Sequence, residues 1–403
     1  MNLIFRAIFF MLMAIPLCGF SQQFTNGQWK GVIQYKAVEV PFNFSLKTTS
    51  DTTALVTIIN AKEQIMIKNA VIKNDSIFIP MYVFDTYIKA KIEGNMMVGV
   101  WHKNYKPNAD SKFTAAYNQP RFTKTSSKIN SIKPTWEITF KQPNGQTSKA
   151  VGLFAQHGNQ VTGSIATEVG DFRHFEGVTY DDSISISSFD GVHAFLMLGK
   201  YADGNWSGIF YYEDGYSEKW IGQYNEEFKL TNPFELITVT PSTHKPYYDI
   251  LTAGGQYNAI DTDLLDGKVV IIQLMGTWCP NSLDQTQYLT NWYQQVNQKD
   301  IVLMAITYEP GNKEYSQKRI DSYSKLLNIP YPMYIGGSMS KGQAALAFPN
   351  MGKINAFPTL VLIDKQGYIR YINSYFNGPA TGEYYLEFDR EFKKRVDELL
   401  VEE

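Results

Sequence analysis

The first half of this 403-residue chain repeats itself with a period of about 107 residues. A period of this length is that of a whole small domain, so it predicts two copies of one fold. The corresponding residues, in the same order in both copies, are Trp29 and Trp136, Asn74-Asp75-Ser76-Ile77 and Asp181-Asp182-Ser183-Ile184, and Gly94-Asn95 and Gly204-Asn205. A Ser-, Thr- and Lys-rich stretch at 121–134 would join the copies. The alternative is a chance match of turn residues.

The repeated region carries the period-two alternation of polar and apolar residues that is typical of β-strands. Ser76–Ile79 and Ser183–Ile186 show it clearly, and Asn144-Gly145 is a hairpin signal between two such runs. No stretch before residue 224 has the pattern of a helix of ordinary length. We therefore expect a duplicated antiparallel barrel or sandwich.

From about residue 232 the pattern changes to alternating strands and helices. The apolar run Val269–Leu274 predicts a central strand that is buried on both faces. Further expected elements are a helix at 283–296, a strand at 301–307, a helix at 314–327, a hairpin at 359–363 and 368–372, and a last helix with Phe388, Phe392, Val396 and Leu399 on one face. The predicted units are a leader at 1–21, β units at 22–127 and 128–231, and an α/β domain at 232–403.

The N-terminus has the pattern of a secretory signal peptide. Arg6 precedes an apolar run at 8–17, and small residues at Gly19 and Ser21 would allow cleavage before residue 22. An uncleaved anchor and a lipid attached to Cys18 are alternatives, but the run is short for a membrane span and the bulky Leu17 disfavours lipidation. We expect an extracytoplasmic protein, periplasmic or secreted, with no stable membrane span.

Several function classes are disfavoured by composition. A net charge of -2 and a pI near 6.3 give no electrostatic basis for nucleic-acid binding. The five histidines show no ligand spacing, so no metal site is expected. No Gly-rich phosphate loop follows a strand, and we expect no cofactor.

Cleavage at residue 21 would leave one cysteine, Cys279, which cannot form a disulfide within the chain. Trp278-Cys279-Pro280 lies where a buried strand ends and a helix begins. Free amide groups and the helix dipole stabilise a thiolate there, so the position predicts a lowered pKa and a reactive thiol. An inert buried cysteine is the alternative.

These residues resemble the active-site stretch of the TlpA-like branch of the thioredoxin superfamily, extracytoplasmic thiol-disulfide oxidoreductases with a W-C-P-x-C motif. Ala356-Phe357-Pro358-Thr359 resembles the family loop in which a cis proline faces the catalytic cysteine, and 360–367 resembles the strand and turn that follow. Gly378–Gly382 resembles a segment found in a subgroup. The resemblance implies a thioredoxin-like fold, Cys279 as the catalytic residue, and Trp278, Pro280, Phe357 and Pro358 as residues that shape the site.

The chain departs from the family at two positions. The second cysteine is replaced by Ser282, and an acid three residues further on is replaced by Gln285. Asp284 is adjacent but would lie about 100° away around the helix. A hydroxyl cannot resolve a mixed disulfide, so conventional dithiol cycling is excluded if the alignment holds. We expect Ser282 to lie near Cys279 and to hydrogen-bond to its sulfur.

The sequence leaves two functional interpretations open and disfavours a third. In the first, Cys279 forms mixed disulfides with thiol- or disulfide-bearing proteins, and an external thiol reductant releases them. In the second, the thioredoxin-like domain is a degenerate binding or scaffold domain and the β-region is the working part. A peroxiredoxin is disfavoured because Thr277 and Ile272 do not match that family's Thr and Pro positions.

Overall fold

The computed structural model describes residues 24–36, 38–106, 108, 110–124, 126, 131–213, 215–239, 249–251, 257–259, 265–348 and 353–402. The predicted leader and Cys18 lie outside these residues. The described chain has an all-β region of two antiparallel barrels followed by an α/β domain, which confirms the predicted fold class. Among the described helices, none combines the length and the apolar character needed to cross a bilayer.

The first barrel is an up-and-down barrel in which each strand pairs antiparallel with the next and the last pairs with the first. Its strands are β1 (Gly27–Tyr35), β2 (Val38–Ser50), β3 (Thr53–Asn60), β4 (Glu63–Lys73), β5 (Ser76–Met81), β6 (Thr86–Glu93), β7 (Met96–Lys103) and β8 (Ser111–Tyr117). Buried and partly exposed residues alternate along β1 and β3, as the sequence pattern predicts.

The second barrel begins at residue 135, after a linker that follows β8. Its strands are β9 (Thr135–Lys141), β10 (Thr147–His157), β11 (Gln160–Thr167), β12 (Gly170–Asp171), β13 (Phe175–Tyr180), β14 (Ser183–Phe189), β15 (Ala194–Ala202), β16 (Asn205–Tyr212) and β17 (Tyr216–Tyr224). The short β12 pairs only with the end of β11. The other eight strands form a closed ring, because β11 pairs with both β10 and β13, and β17 pairs with β9.

The tryptophans matched in the sequence occupy the first strand of each barrel. The indole nitrogen of Trp29 donates to the carbonyl of Thr25 at 3.0 Å, and that of Trp136 donates to the carbonyl of Lys133 at 2.9 Å. Both rings are buried. The equivalent strand and the equivalent bond confirm the predicted duplication.

The glycines that follow Gly94-Asn95 and Gly204-Asn205 along the chain, Gly99 and Gly208, lie in the seventh strand of each ring. A Cβ on Gly99 would lie 2.0 Å from the carbonyl oxygen of Lys89, and a Cβ on Gly208 would lie 1.9 Å from that of Leu198. Both barrels therefore need a residue without a side chain where the seventh strand crosses the sixth.

The α/β domain contains a seven-stranded sheet in the order β19-β18-β22-β21-β20-β23-β24. Its strands are β18 (Asp249–Leu251), β19 (Tyr257–Ala259), β20 (Val269–Met275), β21 (Ile301–Glu309), β22 (Met333–Ser338), β23 (Thr359–Ile363) and β24 (Ile369–Asn373). Its helices are α1 (Pro280–Tyr293), α2 (Lys313–Leu327), α3 (Lys341–Ala347) and α4 (Glu383–Val401). Every residue of β20 is buried, as expected for a central strand with helices on both faces.

The three units meet at the loop between β14 and β15, which we call the junction loop (Phe189–His193). The ring of Phe189 is buried in the core of the first barrel, although its strand belongs to the second. Val192 is buried in the core of the α/β domain. Five consecutive residues thus contribute to two cores outside their own barrel.

Candidate thiol site

Cys279 lies at the junction of the buried strand β20 and helix α1. It is the residue immediately before the helix, and Pro280 occupies the first helical position, where its missing amide hydrogen costs nothing. The first turn of α1 is buried, whereas Cys279 itself is partly exposed and carries a free thiol. The strand end and the helix start therefore place one thiol at the edge of the sheet.

The loop before β23 faces this thiol. The Phe357–Pro358 peptide bond is cis, as predicted, and the thiol of Cys279 donates to the carbonyl oxygen of Phe357 at 3.4 Å. The ring of Phe357 lies edge-on to that of Trp278, with centroids 6.2 Å apart. The structure therefore brings together Trp278, Cys279, Phe357 and Pro358, as the sequence motifs indicate.

The protonation of Cys279 differs from expectation. Burial raises the pKa of the thiol above its ordinary value, although the amide and hydroxyl of Ser282 and the amide of Asn281 act to lower it. The prediction of a lowered pKa was wrong. The helix terminus supplies the expected amide groups, but the loss of water around the sulfur outweighs them.

Ser282 lies in the first turn of α1 and is fully buried. Its hydroxyl makes no hydrogen bond of normal length among the described residues, although it lies close enough to Cys279 to help lower the pKa of the thiol. Gln285, one turn further on, accepts a hydrogen bond from Gln273 at 3.1 Å. The buried side chains of Ser282, Gln285 and Gln273 are therefore polar and uncharged.

A protein-family model described as thioredoxin-like matches residues 267–369. The C-terminal domain is thioredoxin-like. A search of curated proteins finds no significant match.

Solved structures similar to part of this chain include three of bacterial proteins. A thiol-disulfide isomerase from Corynebacterium glutamicum is 12% identical, with a TM-score of 0.31, and the match covers 40% of this chain and 97% of that one. A thiol:disulfide interchange protein from Chlorobium tepidum TLS is 21% identical (TM-score 0.29, 39% and 98% covered). StoA from Bacillus subtilis is 18% identical (TM-score 0.26, 38% and 99% covered).

A buried acid of the thioredoxin-like domain, Glu309, contacts the residue two positions before Cys279. The carboxylate of Glu309, at the end of β21, accepts hydrogen bonds from the amide of Thr277 at 2.8 Å and from its hydroxyl at 2.7 Å. Burial raises the pKa of Glu309, with the Thr277 bonds and the charge of Arg319 opposing the rise. Arg319 also donates to the carbonyl of Val83 in the first barrel at 2.6 Å. The loop that carries Cys279 is thus held on the side of the first barrel.

The second barrel contacts the thioredoxin-like domain on the other side of the thiol. A Cβ on Gly170 would lie 1.8 Å from the side-chain nitrogen of Asn281, so the barrel touches the first turn of α1. Arg173 donates to the carbonyl oxygen of Pro280 at 3.3 Å. Asp190, in the junction loop, is buried, and its negative charge adds to the raised pKa of Cys279.

The sequence motifs identified Trp278, Cys279, Phe357 and Pro358 but missed Glu309 and the residues supplied by the second barrel. Asp190 lies in a Phe-Asp-Gly stretch that stands out in the sequence, but no local signal connects it with Cys279. Arg173 and Glu309 do not belong to any recognisable sequence motif. Asp284 does point away from Gln285, as expected from helix geometry, and it meets Arg173 there.

Proposed function

We propose that this protein is an extracytoplasmic thiol-disulfide exchange protein with one active-site thiol, Cys279, which forms mixed disulfides with partner proteins. The observation that carries the proposal is the position of Cys279, a partly exposed residue at the start of α1 whose thiol lies opposite the carbonyl of Phe357, next to the cis Pro358. Trp278 and Pro280 would shape the same surface. The apolar leader at 1–21 supports a location outside the cytoplasm.

The exchange needs no cofactor. The Cys279 thiolate attacks one sulfur of a partner disulfide, a new S–S bond forms, and the other partner sulfur leaves as a thiolate. An external thiolate then attacks the partner's sulfur in the mixed disulfide, a new S–S bond joins those two sulfurs, and Cys279 leaves as a thiolate. Because Ser282 cannot supply a second sulfur, the covalent complex persists until that outside thiol arrives.

A second candidate is a binding or scaffold protein in which the thiol does no chemistry. The raised pKa of Cys279 favours it, since less of the thiol is ionised at neutral pH. On this view the barrels would be the working part and the thioredoxin-like domain their support.

The two candidates are separated by the fate of a protein disulfide mixed with the reduced protein. Exchange predicts a covalent complex that is absent in Cys279→Ser and that disappears when a small thiol is added. In Ser282→Cys, reductase turnover with a chemical reductant should rise and the complex should be short-lived. Ser316→Cys, which adds a thiol in the first turn of α2, is the matched control and should behave like the parent protein.

Absence of any Cys279-dependent complex would favour the scaffold. So would a Ser282→Cys protein whose two thiols form a disulfide while it remains inactive as a reductase.

A further inference from the structure

Arg173 joins all three units next to the thiol. Its Nε and Nη2 donate to one carboxylate oxygen of Glu63 in the first barrel, at 3.2 and 2.6 Å. Its Nη1 donates to Asp284 at 2.7 Å and to the carbonyl oxygen of Pro280 at 3.3 Å, both on α1. One guanidinium therefore contacts the first barrel with one edge and the residue following Cys279 with the other.

The backbone of Arg173 is held in an unusual conformation. Its φ is 58°, in the left-handed region that favours glycine and strains a residue with a side chain. Its amide donates to the carboxylate of Asp171 at 2.6 Å, and the other oxygen of Asp171 accepts the amide of Gly378 at 2.5 Å. The surrounding bonds fix the direction in which the side chain leaves the barrel.

The cluster contains more acid than base. Three carboxyl groups, those of Glu63, Asp171 and Asp284, surround the one guanidinium, and the side chains of Arg173, Glu63 and Asp284 are 12%, 11% and 10% exposed. A Cβ on Gly378 would lie 2.8 Å from an oxygen of Asp284 and 3.4 Å from one of Asp171, so these two acids are close neighbours. If these three carboxyl groups and Arg173 were all ionised, this buried cluster would carry two uncompensated negative charges.

We infer that Arg173 is a positioning residue for Cys279, and that its contact with Asp284 controls how the second barrel holds the active-site end of α1. The second barrel thereby gains a role at the thiol that no motif in the sequence assigns. The inference concerns the setting of the thiol, whatever its partners, and stands apart from the mixed-disulfide proposal.

Burial raises the pKa of Asp284 to about 7, with the charge of Arg173 opposing the rise and those of Asp171 and Glu63 adding to it. From α4, Tyr385 also faces Asp284; burial raises the pKa of its phenol, and the charges of Asp389 and Asp284 add to the rise. On the barrel side, His174 lies beside Glu63, Arg173 and Lys62, and burial lowers its pKa. The charge of Asp190 in the junction loop also acts on Arg173 and adds to its raised pKa. Below about pH 7 the Asp284 carboxyl is neutral; above it, the carboxylate pairs with Arg173 and repels Asp171.

The test is the pH profile of Cys279 alkylation by iodoacetamide in the full-length protein. The parent protein should show, besides the rise due to the thiol itself, a second inflection near pH 7. Asp284→Asn should remove that inflection and leave a curve with a single ionisation. Asp389→Asn is the matched control, because Asp389 also bonds a residue of α1, Tyr288 at 2.8 Å, nearer the other end of the helix; its profile should keep both inflections.

Arg173→Gln should raise the alkylation rate several-fold at fixed pH, because α1 loses a bond next to the thiol. Arg173→Lys should restore the rate only in part, since an ammonium cannot offer two edges. Should Arg173→Gln fail to fold, Glu63→Gln removes the negative charge of the first-barrel anchor while leaving the α1 contact, and should raise the rate less. A single ionisation in the parent protein, or an inflection that survives in Asp284→Asn, would overturn the inference. Failure to form mixed disulfides would not, because alkylation requires no partner.

Discussion

Replacing Phe189 by alanine tests whether the junction loop holds the three units together. The ring is fully buried in the first barrel, with its centroid 4.3 Å from that of Phe42 and 5.3 Å from that of Trp101. Deleting a ring of this kind costs about 3–5 kcal/mol of unfolding free energy, part of it for the cavity that remains. Chemical denaturation followed by tryptophan fluorescence measures the loss, since Trp101 reports on that cavity.

The matched control is Phe210→Ala, which removes a buried ring from the second barrel's own core, 5.4 Å from Phe140. Both variants should lose similar stability. Only Phe189→Ala should also raise the alkylation rate of Cys279 under native conditions, because the same loop carries Asp190 and Val192 to the thioredoxin-like domain. A loss below about 1 kcal/mol, or equal alkylation rates in the two variants, would refute this account of the loop.

Three further predictions follow from single contacts. Asp190→Asn keeps an oxygen to accept the amides of Val192 and His193 but removes the charge, so the alkylation profile of Cys279 should shift to lower pH. In Asp284→Asn the free energy of unfolding, measured by denaturation at each pH, should depend less on pH. The raised pKa of Asp284 gives the parent protein stability that is full below about pH 4 and lost by about pH 7. A rise from 3.8 to about 7 corresponds to at most about 4 kcal/mol. Gly208→Ala should lower the melting temperature, since its Cβ would meet a backbone carbonyl at 1.9 Å, whereas Gly342→Ala in α3, whose nearest contact is 3.5 Å, should stabilise by up to about 1 kcal/mol.

Much of the fold could be predicted because its signals are local. The alternation along the strands, the turn residues and the order of the matched tryptophans predict two copies of a β domain, and the apolar run of β20 predicts the central strand of the thioredoxin-like domain. Closure into barrels rather than sandwiches could not be predicted, because it depends on pairings between distant strands such as β1 with β8. Helix α3 was missed because it is only seven residues long.

The thiol site was predictable only in part, for the same reason. Cys279, Ser282 and Pro358 lie in short motifs, and the structure brings them together. The charged residues that alter the thiol come from positions about 90 to 110 residues away, such as Asp190 and Arg173, and their approach depends on how whole domains pack. The expected pKa was wrong because it was derived from the helix terminus alone, without the burial that the complete chain imposes.

The order of the three units along the chain has a consequence for how the protein folds. A chain synthesised from its N-terminus completes both barrels before α1 exists, so the helix with the thiol folds last, against a surface that is already in place. Arg173 is part of that surface and can bind the carbonyl of Pro280 and the carboxyl of Asp284 as α1 folds. A fragment that begins at residue 267 would place both groups in water. Its cysteine would have the same neighbours in sequence, yet titrate and react as a different thiol.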